Sequence, residues 1–144
     1  MLHIYKASAG SGKTYTLTLE YIKLLLGYRD EQGRYRLYRE RDAQHRRILA
    51  VTFTNKATEE MKHRIVFQLD ILAHDTEKSP YVDGLMQLFG CTVEQIRGIA
   101  SETLYVLLHD FSYFNISTID RFFQQVLRNF TREIGLQGCF EIEL

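Results

Sequence analysis

Ala7-Ser8-Ala9-Gly10-Ser11-Gly12-Lys13-Thr14 decides the fold. Residues 2–6 ahead of it read as a strand, and an apolar pattern of helical spacing begins near Thr14. Small residues such as Ala9, Gly10, Ser11 and Gly12 let backbone N–H groups curl around a phosphate, and a helix starting there points the positive end of its dipole at the anion. In such a loop Lys13 reaches the β and γ phosphates of a nucleotide and the Thr14 hydroxyl ligates Mg²⁺, which makes both candidate catalytic residues. Ala7 stands where the strict G-x-x-x-x-G-K-[ST] pattern has glycine, a mild departure because alanine is also small. A plain Gly/Ser turn would explain the glycines but not Lys-Thr directly after the second one.

Working outward, Leu17, Tyr21, Leu24 and Leu25 recur at spacings of three and four and predict a helix stopped at Gly27. Residues 28–47 lose this period and are rich in Arg and Tyr, the marks of a basic linker or insertion. Arginines interleaved with tyrosines suit nucleic acid, but Asp30, Glu31, Glu40 and Asp42 dilute the charge and favour a solvated segment. Residues 48–53 predict a short buried strand, and Ala57, Met61, Ile65, Leu69 and Leu72 place one apolar face on a following helix. Residues 73–112 predict an inserted helical pair. The first helix covers 81–89 and ends at Gly90; the second is capped by Thr92 with Gln95 in the capping box, and carries Val93, Ile96, Ala100, Leu104, Leu107, Leu108 and Phe111 inward. Residues 115–118 then look like a strand, Ile119, Phe122, Phe123, Val126, Leu127, Phe130 and Ile134 form an amphipathic helix closed by Gly135, and residues 139–144 alternate like another strand. Alternating strands and helices imply an α/β fold: a parallel sheet with helices on both faces, of the P-loop NTPase kind, truncated at a final strand.

Composition narrows the function. The 144 residues carry 18 basic and 18 acidic side chains, so any nucleic-acid surface must arise from local arrangement and not from bulk charge. Cys91 and Cys139 belong to no C-x-x-C pair and the five histidines are scattered, which points to reduced thiols and to no metal beyond the nucleotide's Mg²⁺. No apolar run approaches the ~20 residues of a membrane span and no signal peptide is evident, so no membrane is expected and the cytoplasm is the expected location.

Two strand ends carry further candidates. Phe53, Thr54, Asn55 and Lys56 fall where a strand passes into a helix, the edge at which open α/β sheets bind ligands. Thr54 and Asn55 suit both helix capping and phosphate contact, Lys56 adds charge, and Phe53 offers a ring for base stacking. Ser117, Thr118 and Asp120 repeat this design at the next strand end; capping with core packing is the simpler account of both.

A-S-A-G-S-G-K-T, then A-V-T-F-T-N-K-A-T-E-E-M-K-x-R-I, then I-S-T-I-D-x-F-F, in this order, resemble the N-terminal part of superfamily 1A (UvrD/Rep-like) DNA helicases, and most of all the RecB/AddA-type helicase-nucleases, also called exonuclease V beta-type subunits. The whole chain fits the first part of their first, RecA-like motor domain. The resemblance implies ATP and Mg²⁺ as cofactors, held by Gly10, Gly12, Lys13 and Thr14. It implies single-stranded DNA against Phe53, Thr54, Asn55 and Lys56, and a DNA backbone near Ser117, Thr118 and Asp120. Double-stranded DNA and a second helicase-nuclease subunit are the further partners implied, in double-strand-break repair and recombination.

The same resemblance puts the acidic Mg²⁺-organising motif, the second motor half and the nuclease carboxylates beyond Leu144, so hydrolysis, translocation and cleavage are not expected from these residues alone. The adenine-reading glutamine of many relatives is not evident within residues 1–6. Asp110 ends an apolar run, yet that run belongs to the helix starting at Val93, so Asp110 is expected at a helix end. Two other classes use the same loop: a small P-loop kinase, and a non-catalytic nucleotide- or DNA-binding module. Apolar faces meant for later elements make self-association of the chain an expectation.

Overall fold

The computed structural model describes residues 11–39 and 42–133; the expected strand at 2–6, the first half of the phosphate motif, Ile134, Gly135 and the strand-like residues 139–144 lie outside them. Helix α1 (Ser11–Leu26) buries Thr18, Tyr21, Ile22, Leu25 and Leu26. Leu24, placed on that stripe by spacing, is instead 49% exposed, because the face is set by Tyr21 with its i+4 and i+5 neighbours and Leu24 lies to one side of it. The helix does end before Gly27, but for a reason the sequence did not show. Gly27 opens strand β1 (Gly27–Arg29), and a Cβ there would strike both the Arg36 carbonyl oxygen and the Phe89 ring.

β1 pairs antiparallel with β2 (Tyr35–Leu37), Tyr28 opposite Arg36, so the stretch read as aperiodic contains a hairpin. Three-residue strands are too short to display alternation. Asp30 shapes the turn by accepting bonds from the Gln32 and Arg34 amides and from the Arg36 side chain. A 3-10 turn (Gln44–Arg47) then leads to β3 (Ala50–Thr52).

α2 (Asn55–His74) is capped by Thr54 and buries Thr58, Met61, Ile65, Leu69, Leu72 and Ala73, the expected face with Ala57 only half-buried. α3 (Val82–Phe89) stops at Gly90, whose φ of 59° is the left-handed cap that favours glycine. α4 (Val93–His109) starts on the complete capping box of Thr92 and Gln95 and lies along α2, with Ile96, Ile99, Ala100, Leu104 and Leu107 buried. Leu108 and Phe111, expected inward, are exposed: Leu108 is a step of 100° round the helix from Leu107, and Phe111 falls beyond the helix end in a 3-10 turn (Phe111–Tyr113).

β4 (Ile116–Thr118) pairs parallel with β3, and α5 (Ile119–Glu133) follows directly. The protein is therefore a helix-rich α/β structure with short sheets. Its core is formed by α1 to α4, where Ile22, Leu26, Ile65, Leu69, Leu72, Leu85, Ile96 and Leu107 are completely buried. Each such side chain contributes about 1.5–3 kcal/mol of apolar burial. α5 contributes none: Phe123, Val126, Leu127 and Phe130 form an apolar stripe that is exposed among the described residues.

Candidate nucleotide and nucleic-acid site

The second half of the phosphate motif, Ser11 to Thr14, forms the first turn of α1. A first turn has four N–H groups without intrahelical acceptors, so the backbone here matches what a phosphate needs. Thr14 is half-buried and its carbonyl accepts a 2.8 Å bond from the Thr18 hydroxyl, which ties the first turn to the second. The donors present, helix-end amides with a threonine hydroxyl one residue beyond a lysine, fit a triphosphate with its Mg²⁺. Ala9 and Gly10 lie outside the described residues.

Tyr15, the residue that follows this first turn, is held from outside the helix by Tyr81 and Pro80. Tyr15 and Tyr81 have ring centroids 4.6 Å apart. The Tyr81 hydroxyl donates to the Tyr15 carbonyl at 3.2 Å, and the Tyr15 hydroxyl donates to the Pro80 carbonyl at 3.3 Å. Tyr15 and Tyr81 are 66 positions apart, so no local spacing announces the pair.

The other candidates lie at the carboxyl ends of β3 and β4. The parallel register sets Ala50 against Ile116, Val51 against Ser117 and Thr52 against Thr118, so both strands finish on the same rung; β4 runs straight into α5, and β3 reaches α2 through Phe53 and Thr54. The starts of α2 and α5 thereby follow one end of the β3–β4 pair. Thr54 is the N-cap of α2, extended at φ −130° and ψ 154°, and accepts a 3.1 Å bond from the Ala57 amide. Thr52 shares a hydroxyl–hydroxyl bond with Thr58, and the Arg121 amide donates to Thr118 at 3.3 Å. The capping roles read from sequence are thus real at Thr54 and Thr118.

Capping does not explain the rest. Phe53 is 78% exposed, so it is no core residue, and Asn55, Lys56 and Asp120 are also exposed. The Ser117 hydroxyl is buried and has no hydrogen-bond partner among the described residues. An exposed ring, two helix starts and a lysine form a surface able to stack a base and hold a phosphate.

Asp110 takes no part in this edge. It terminates α4, and the Arg46 guanidinium grips it at 2.6 and 2.7 Å while the buried His45 ring lies 2.7 Å from the same carboxylate. The Arg46 hydrogen bonds, then His45, hold the Asp110 carboxyl at about 2, below the usual carboxylate range. Arg46 also lies 4.0 Å over the Tyr113 ring, and its carbonyl accepts from the Asn115 side chain. The cluster pins the 3-10 turn before β3 to the segment before β4, and so fixes how the two strands meet. Among the described residues, no three His, Cys, Asp or Glu side chains gather to hold a metal, and no helix is long and apolar enough to cross a membrane.

The candidate site thus consists of a helix that opens on Ser11 to Thr14 and of two polar strand ends on one rung, and comparison with known proteins gives its class. A family model for the UvrD/REP helicase N-terminal domain matches residues 3–143, and the chain belongs to that family. RecBCD enzyme subunit RecB of Buchnera aphidicola subsp. Acyrthosiphon pisum (strain APS) is 35% identical over 130 residues, which cover 88% of this chain and 10% of that protein. The RecB subunit from Buchnera aphidicola subsp. Schizaphis graminum (strain Sg) is 33% identical over 133 residues, 90% of this chain and 10% of its own length. RecB from Haemophilus influenzae (strain ATCC 51907 / DSM 11121 / KW20 / Rd) is 42% identical over 64 residues, 44% of this chain and 5% of its own. The chain thus spans about one tenth of the length of the first two relatives. No solved structure matches it.

Proposed function

We propose that this chain is the nucleotide-binding portion of an ATP-dependent DNA helicase of the RecB type, working in double-strand-break repair and recombination. Ser11 to Thr14 bind the phosphates of ATP through backbone amides, Lys13 neutralises the β and γ phosphates, and Thr14 ligates Mg²⁺. Phe53, Thr54, Asn55 and Lys56 contact single-stranded DNA, with Phe53 stacking on a base, while Ser117, Thr118 and Asp120 flank the backbone. The strands extend into a RecA-like parallel sheet, and residues 28–47 and 73–112 are elaborations on it. Hydrolysis, translocation along DNA and exonuclease action belong to the full-length protein, in the cytoplasm with a second subunit, and these residues by themselves turn nothing over.

The observation that carries this reading is the shared final rung of β3 and β4, which pairs Thr52 with Thr118 where the chain passes on to α2 and α5. The relatives' printed name, RecBCD enzyme subunit RecB, supports the branch and the multi-subunit setting. The test is Lys13→Ala in the full-length protein: ATP hydrolysis is abolished if the loop binds ATP, and retained turnover refutes the reading.

A further inference from the structure

We propose that Tyr81 is a positioning residue of the nucleotide site, acting through the Tyr15 carbonyl. The proposal rests on the phosphate-loop reading of Ser11 to Thr14. Tyr15 immediately follows Thr14, so whatever fixes the Tyr15 peptide fixes the first turn of α1 and the direction in which the Thr14 hydroxyl leaves it. Helix first turns are otherwise prone to fray. Here the residue directly after the turn is held by the reciprocal bonds described above, Tyr81 hydroxyl to Tyr15 carbonyl and Tyr15 hydroxyl to Pro80 carbonyl, with the two rings packed between them.

The burial pattern shows which partner is the anchor. Tyr81 is 4% exposed and sits in the core cluster, whereas Tyr15 is 42% exposed. Burial raises the Tyr81 phenol above its ordinary pKa, so the group stays a neutral donor. Tyr81 is in turn held from α2. Its amide donates to the Ser79 hydroxyl at 3.2 Å, and that hydroxyl donates to the Gln68 side chain at 3.4 Å. Hydrogen bonds therefore link Gln68 on α2, the helix capped by Thr54, through Ser79 and Tyr81 to Tyr15, the residue after the first turn of α1. The clamp is built from groups that bear no charge and touch no phosphate, so no sequence motif would mark them.

The experiment compares Tyr81→Phe, which deletes only the hydroxyl, with Tyr81→Leu and Lys13→Ala in the full-length protein. Steady-state ATPase, single-strand affinity without nucleotide and thermal midpoint are measured for each. The expected result is that Tyr81→Phe raises the KM for ATP by about 2- to 12-fold, the worth of one hydrogen bond, with kcat, DNA affinity and thermal midpoint kept. A wild-type KM in Tyr81→Phe overturns the proposal. So does a KM defect in Tyr81→Leu that Tyr81→Phe fully restores, since packing and not the hydroxyl would then be the cause. A fall in thermal midpoint matching the kinetic loss also overturns it. Retained turnover in Lys13→Ala is a separate failure, that of the phosphate-loop reading itself.

Discussion

Thr52 and Thr118 are register partners across the parallel β3–β4 ladder, and each is the last residue of its strand. The turn after Thr52 leaves Phe53 78% exposed to solvent. Phe53→Ala is therefore expected to weaken single-strand binding by ~1 to 3 kcal/mol, the range for loss of one base–aromatic stack. Fluorescence anisotropy with a labelled oligonucleotide reads the loss, and the thermal midpoint should stay put. Unchanged affinity would remove Phe53 from the DNA contact.

Asp110 and Asp30 make the fold acid-sensitive in a defined window. Arg46 in one case, and the Arg34 amide with the Arg36 side chain in the other, keep these carboxyls at about 2 against an ordinary 3.8. Both favour the charged form in the folded state, so their stabilisation is complete above pH ~4 and is lost as pH falls through ~2. Asp110→Asn should flatten the dependence of unfolding free energy on pH between 4 and 2 relative to wild type. Urea titrations at steps across that interval check the slope.

Gly27→Ala should destabilise the domain by about 1–3 kcal/mol, the usual range for overpacking. The added methyl meets the Arg36 main-chain oxygen as well as the Phe89 ring, and a main-chain atom in a paired strand has little room to retreat. Chemical denaturation measures the change. Gly84→Ala is the control, since a Cβ there meets nothing within 4 Å.

The chain expressed by itself should self-associate through α5, because Phe123, Val126, Leu127 and Phe130 offer one apolar stripe to solvent. Phe123→Asp with Phe130→Asp should return it to monomer, with the core of α1 to α4 intact. Sedimentation velocity across a micromolar concentration series decides, and a monomer throughout for the wild-type chain would discard the idea.

Local signals made α2, α3, α4 and α5 legible: period, a capping box at Thr92 and Gln95, a left-handed stop at Gly90. The strand at 115–118 and a strand within 48–53 are present, but β3 covers only Ala50–Thr52 and leaves Leu49, Val51 and Phe53 exposed where a buried strand was expected. Errors came at the margins of stripes, where Leu24 and Leu108 have the right chemistry but sit a step off the buried face. Contacts between distant segments left no trace in the chain. Nothing in the sequence around His45 or Arg46 points to Asp110, and Tyr15 and Tyr81 are ordinary aromatic positions until the fold stacks them. The hairpin was missed because its strands are too short to alternate and its turn is organised by Asp30, not by a standard two-residue turn pair.

The twenty-residue length of α2 has a mechanical consequence. Its start adjoins Phe53, while Gln68, four turns farther on, is fastened through Ser79 to the bend that grips α1. A stiff rod so fastened would act as a lever if it tilted about Gln68. A tilt of about 5° at the fulcrum swings the Phe53 end, about 20 Å away at 1.5 Å per residue, through on the order of 2 Å. On the proposed reading of both sites, a change of occupancy at Ser11 to Thr14 would reach Phe53 as a displacement of its ring, without any loop having to unfold.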